Sequence, residues 1–225
     1  MADINLFPLF LSLRVAATAT LLAILIGIPI AYYLNKSNGK LADFFDTLLT
    51  LPIVLPPTVL GYYLLVLLGR QSTLGRFLED TFNLTIVFTP TGAIIAALVV
   101  SIPFLIKSAR SAFANVDPTF LKAARVLGRS EMNIFFSIIL PLAWRGVAAG
   151  ITLAFARALG DFGTTLMVAG SIPNETMTMP IAIYDALLAG NRDLANILVV
   201  IMTTVSIGVL YILNRLEKKG SRERK

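Results

Sequence analysis

Chemistry in this chain of 225 residues has to be done without histidine and without cysteine. That removes the usual neutral-pH proton shuttle, the commonest metal ligand, thiolate nucleophiles and disulfides together. Serine hydroxyls have no imidazole to activate them, so no catalytic residue is assigned, and no metal site is expected. Nor does the sequence contain a G-x-x-x-x-G-K-[ST] loop to cradle nucleotide phosphates, so any ATP hydrolysis belongs to another subunit. What remains is charge placed beside apolar sequence. Arg157 and Asp161 are four residues apart and can pair on one helix face, as a local ion pair at a membrane edge or as the polar rim of an outer gate. Arg14 and Arg145 lie near the ends of apolar runs, where a long side chain reaches the interface.

The richest polar stretch runs from Asp117 to Glu131 and reads as a short helix with both ends written out. Asp117 can cap the first amides, and Pro118 suits the first helical position. Gly128 can take the left-handed conformation that stops the helix, and Ser130 can cap the next one. Phe120, Ala124 and Leu127 fall on one face, and Lys122, Arg125 and Arg129 on another. Such a helix, with small residues Ala123 and Ala124 where something could pack closely, suggests a docking element. The competing reading is a loop helix resting at the lipid headgroups.

The elements around this loop are apolar. The chain is 56% hydrophobic and 14% charged, with mean hydropathy +0.80, far from the roughly one-quarter charged residues of a soluble domain. An all-α integral membrane protein follows, read as a single transmembrane domain over 1–225. Five segments approach the roughly 20 residues a span needs: 9–34, 48–68, 92–106, 135–159 and 194–213. The third is short unless it extends to 88 or 108, and the first reads as a retained span. The polar loop occupies about 113–136 and a basic tail about 215–225.

Basic residues set the orientation. With the N-terminus outside, the inner segments hold Lys36 and Lys40, then Lys107, Arg110, Lys122, Arg125 and Arg129, then the basic tail; the outer connections hold only Arg70, Arg76 and Arg192. This bias favours N-out, C-in and puts the capped helix in the cytoplasm. The net charge of +6 is thus an orientation signal rather than a nucleic-acid footprint.

Within the second segment, Pro52, Pro56 and Pro57 cannot all sit in a regular helix. The segment is either a broken helix at an interface or pathway, or a kinked and fully packed one. Gly146 and Gly150 have the spacing that allows close helix approach. The outer stretch 171–193, interrupted by Asp185, fits a surface or re-entrant helix better than a sixth span. No internal repeat supports an ion-coupled secondary transporter, the rival reading, or leaves much for a membrane scaffold.

Lys122-Ala123-Ala124, then Gly128, then Ile139-Leu140-Pro141 resembles the coupling loop of ABC importer permeases, with Lys122 where that family's pattern begins with Glu. The run from Leu51 to Leu65 and the run from Phe155 to Met167 resemble molybdate/tungstate permeases, with Asp161 where that group often has Glu. Sulfate permeases share the plan. The resemblance implies a type I importer fold, a homodimer, two ATPase subunits that carry ATP and Mg, an external oxyanion-binding protein, and no cofactor bound by this chain. It implies ATPase coupling through Phe120, Lys122, Ala123, Ala124, Leu127 and Gly128, with Ala124 facing the ATPase's cleft. The candidate pathway comprises Pro56, Pro57, Thr58, Gly61, Arg157, Asp161, Gly163 and Thr164. The implied location is the plasma (inner) membrane.

Overall fold

A computed structural model describes residues 5–37 and 39–222, with side chains as far as 215. All regular structure among the described residues is helical. Helix α1 (Phe7–Lys36) is followed by α2 (Lys40–Val54), α3 (Pro57–Leu68), α4 (Thr73–Phe82) and α5 (Pro90–Ala114). Next come the short α6 (Pro118–Val126) and α7 (Glu131–Ile134), which leads through a π-helical stretch (Phe135–Ile139) into α8 (Leu140–Leu159). Helices α9 (Gly163–Ala169), α10 (Met179–Leu188) and α11 (Arg192–Arg222) complete the order. Among the described residues, four continuous helical stretches are long and apolar enough to span a bilayer, and α2 with α3 makes a fifth if counted as one bent span.

Helix α5 is the centre: α1 and α8 both lie along it. Its sequence explains this. Ala93, Ala96, Ala97, Ser101 and Ala109 are wholly buried, and their small side chains let neighbours come close. In lipid the surroundings are as apolar as the core, so close packing rather than escape from water drives helix association. The expected Gly146/Gly150 spacing serves this purpose. A Cβ at Gly146 would lie 2.5 Å from the Ala112 Cβ, and one at Gly150 would lie 2.8 Å from the Ser108 Cβ. Ser108 Oγ also donates to the Gly146 carbonyl across this seam, at 2.8 Å. These two glycines therefore form an α5–α8 packing face.

Two apolar clusters fill the bundle. The inner one joins Ala31 and Leu34 of α1, Ile106 and Phe113 of α5, and Ile134, Phe135 and Val147. The outer one joins Leu11, Val15 and Ala19 of α1 with Ala93, Phe155 and Leu159. Helix α5 runs on to Ala114, which resolves the short third segment. Helix α10 is a ten-residue apolar helix packed on α11 and α1, in keeping with the surface or re-entrant reading of 171–193. Helix α11 continues through Arg222, so the first part of the expected basic tail prolongs it; residues 223–225 lie outside the described residues, as do the side chains from 216.

The expected second span is two helices. Leu55 is extended, as a residue before proline must be, and Pro56 has ψ 137°. Neither Pro56 nor Pro57 can donate an amide to the helix before it. Helices α2 and α3 consequently meet at 115°, and Pro56, Pro57 and Thr58 are exposed at the corner. A broken helix replaces the alternative of a kinked, packed one.

Candidate functional site

The capped loop forms as its residues dictate. Asp117 Oδ1 accepts from the Thr119 amide at 2.8 Å, and that amide holds the carboxyl below the usual carboxylate range. Pro118 opens α6. At the other end Gly128 has φ +74°, with its amide donating to the Arg125 carbonyl at 2.9 Å and the Arg129 amide donating to Ala124 at 3.1 Å. This pair of reversed bonds is the Schellman closure, and it places glycine at the left-handed position. A Cβ there would meet nothing within 4 Å, so conformation rather than space demands glycine. Ser130 Oγ accepts from the Asn133 amide at 3.3 Å and starts α7. One turn before Pro141, whose missing amide interrupts the ladder, the helix widens to π geometry over Phe135–Ile139.

The loop corrects one expectation. Ala124, expected to face a partner's cleft, is only 4% exposed and seated in the inner cluster, with half-buried Leu121 beside it. Helix α6 carries two apolar strips where the sequence suggested one. Leu121 and Ala124 face the membrane body, while Phe120, Ala123, Val126 and Leu127 face outward, Val126 at 87% and Leu127 at 79% exposure. Lys122 is exposed on the same helix. Arg129 Nη1 donates to Asn133 Oδ1 at 2.9 Å. Arg125 Nε donates to Glu131 Oε1 at 2.7 Å, a bond that raises the guanidinium's already high pKa further.

The candidate pathway residues gather where two helix breaks meet. Helix α9 packs against α3, with Gly163 close under Pro57. A Cβ at Gly163 would lie 3.0 Å from Pro57 Cβ, and one at Gly61 would lie 2.6 Å from Met167 Cβ, so these glycines let the two broken helices touch. Thr164, a candidate pathway residue, is wholly buried and donates to the Pro57 carbonyl at 3.3 Å. This bond ties α9 to the first turn of α3 from behind the corner. Arg157, in the last turn of α8, and Asp161, just beyond its end, do pair, at 3.1 Å. Asp161 also accepts from the Thr165 amide at 2.9 Å and from its hydroxyl at 2.8 Å, through Oδ2. Being 3% exposed, Asp161 is the pivot of the α8–α9 turn rather than a rim charge.

Three features were not foreseen. Glu131 also accepts from Lys36 Nζ at the end of α1. Asp46 of α2 pairs with Lys107 and Arg110 of α5, both at 2.9 Å. Phe88 has φ +59°, unusual for a bulky residue, while its amide donates to the Val168 carbonyl at 2.9 Å and ties the entry of α5 to α9. Lys36 and Glu131 stand 95 residues apart, and no local signal in the sequence links them.

Residues 23–220 match the family model of binding-protein-dependent transport system inner membrane components. The chain belongs to this family. As such a component it is a transport subunit and not an enzyme; the ABC importer arrangement gives it an ATPase and a substrate-binding protein as partners, in a dimeric assembly. The molybdenum transport system permease protein ModB of Escherichia coli (strain K12) is 39% identical over 202 residues, 89% of this chain and 88% of that protein. The ModB protein of Azotobacter vinelandii is 33% identical over 213 residues, 95% of this chain and 94% of that one. Among solved structures, a chain of the MetNI methionine ABC transporter in an inward-facing conformation superposes with TM-score 0.77 at 16% identity, covering 98% of this chain and 99% of that one. A chain of a bacterial alginate ABC transporter gives 0.73 at 16% identity, over 93% and 79%. At those identities the likeness establishes the fold alone: that of a type I ABC importer permease.

Proposed function

We propose that this chain is the translocating subunit of a molybdate importer, with tungstate the nearest competitor for the same path. The observation that carries the substrate is identity of 33–39% with molybdenum permeases over about nine-tenths of the chain. The working unit is a homodimer of this chain, a single transmembrane domain over 1–225, with two ATPase subunits and an external oxyanion-binding protein. The chain binds no cofactor of its own; ATP and Mg belong to the ATPase. The N-terminus lies outside and the C-terminus in the cytoplasm, as the basic residues beside the spans favour.

Two features of the chain support this assembly. The outward strip of α6 leaves Phe120, Val126 and Leu127 uncovered on a rigid, doubly capped helix, a shape and polarity suited to an ATPase cleft. The α2–α3 corner exposes Pro56, Pro57 and Thr58 with interrupted backbone, which lipid does not tolerate, so a second copy or a water-filled path covers it. In this reading Pro56, Pro57 and Thr58 border the path. Gly61, Gly163, Thr164, Arg157 and Asp161 hold the corner in place behind them.

Reconstitution with the ATPase and binding protein tests the reading. Uptake of molybdate should require ATP hydrolysis and be competed by tungstate more strongly than by sulfate. Strong sulfate competition would move the substrate to the sulfate class, and ion-driven uptake without ATPase would remove the reading altogether.

A further inference from the structure

The coupling loop meets the membrane body through two kinds of contact. One is the small apolar seat of Leu121 and Ala124. The other is ionic and centres on Glu131, the first residue of α7. Its Oε1 accepts from Arg125 Nε at 2.7 Å and its Oε2 from Arg125 Nη2 at 3.3 Å, while Lys36 Nζ donates to Oε2 as well. Lys36 is in the last turn of α1, where a positive charge is favoured by the helix dipole, and its ammonium lies 4.7 Å from the Tyr32 ring centre. Tyr32 in turn packs on Phe135 of the π-helical stretch, with ring centres 4.6 Å apart. One carboxylate therefore joins α6, α7 and α1.

Stability does not account for this arrangement. The Lys36 and Glu131 side chains are 37% and 48% exposed, and ion pairs this open to water contribute little to folding. What the arrangement does supply is a connection. Helix α1 is 30 residues long, about 45 Å, and its outer half packs on Phe155, Ala158 and Leu159 beside the α8–α9 break. A displacement of α6 reaches that region through α1 as well as through the chain itself. The loop position where the family pattern carries Glu holds Lys122 here, and Asp117 is occupied by its cap, so Glu131 supplies the carboxylate that ties Arg125 to Lys36.

We propose that Glu131 is the positioning residue that fastens the coupling helix to α1, so that motion of the ATPase moves both together; this rests on the importer reading above. The experiment uses the complete transporter in vesicles and measures molybdate taken up per ATP hydrolysed, for the natural chain and for Glu131→Gln, Lys36→Met, the double variant and Lys36→Arg. The natural chain must couple uptake to hydrolysis; if it does not, the importer reading fails first and by itself. Given coupling, either neutralising variant should lower uptake per ATP by about fivefold or more while assembly and hydrolysis persist. The double variant should be no worse than the single ones, because both break one tie, and Lys36→Arg should retain coupling. Normal coupling in Glu131→Gln and Lys36→Met overturns the proposal. So does a multiplicative loss in the double variant, since the two residues would then act separately. Loss of ATPase binding in both single variants overturns it too, since the tie would then serve docking and not transmission.

Discussion

The capped α6 loop and the α8–α9 break are both places where a helix stops and restarts, yet they are built in opposite ways. At the loop, the caps are supplied at an exposed surface by Asp117, Gly128 and Ser130, and the apolar strip Phe120, Val126 and Leu127 is left facing outward. At the break, Asp161, Thr164 and Thr165 are buried and turn their polar atoms on the chain's own backbone and on one another. An exposed cap competes with water and contributes little, but a rigid exposed helix leaves its surface free for a partner. A buried corner has no water to fall back on, so every donor removed costs its full desolvation. The same local event thus makes an interface in one place and a rigid hinge support in the other.

The largest expected effect comes from the buried side of this comparison. Asp161→Ala leaves the Arg157 guanidinium, the Thr165 amide and the Thr165 hydroxyl without their shared acceptor; the guanidinium can reach water, but each buried Thr165 donor left unsatisfied costs about 1–3 kcal/mol. The variant should melt well below the natural protein in detergent and accumulate poorly in the membrane, before any transport is measured. Unchanged melting would mean that water reaches this corner and that Asp161 is a rim charge after all.

A second pair of substitutions divides the two strips of α6. Ala124→Leu overfills the inner seat and should lower the melting temperature of the isolated membrane subunit, by about 1–3 kcal/mol in stability. Leu127→Ala, at an exposed position, should leave that melting unchanged but weaken ATPase binding by about 1–3 kcal/mol if the side chain is fully buried in the complex. Calorimetry on the subunit and titration with the ATPase read the two separately. If Ala124→Leu weakened only binding, the inward assignment of Ala124 would fall.

What could be read from the sequence follows the same division. Caps are local: Asp117, Pro118, Gly128 and Ser130 each declare a backbone state within four residues of themselves, and all four act as expected. The proline pair at 56–57 declared an irregularity equally well, but not its angle, because 115° depends on how α3 rests on α9. The single apolar face drawn for α6 misplaced Ala124, since a nine-residue helix with small and large apolar residues all round gives no unique inward direction. For Thr164, only the fold brings its hydroxyl to the Pro57 carbonyl, 107 residues away. The Lys36–Glu131 tie is likewise a product of tertiary folding.

The smallest expected effect tests the exposed side of the comparison, and its sign can be worked out. Asp117 accepts the Thr119 amide chiefly as a carboxylate, which is why its pKa is lowered. A group whose folded pKa is depressed stabilises the folded form above its unfolded pKa, and that contribution disappears as the pH falls through the folded value. The α6 cap should therefore be intact at neutral pH and weaken only on acidification below the ordinary Asp range. Asn caps as well as Asp but does not titrate. Hydrogen exchange at the Thr119 amide should accelerate toward acid, relative to its intrinsic rate, in the natural chain and stay flat in Asp117→Asn, with little change in either at pH 7. Because Asp117 is exposed, ATPase binding at neutral pH should be nearly the same in both. A large loss of binding in Asp117→Asn would show that the carboxylate meets the partner directly, making the cap part of the interface and not only the support beneath it.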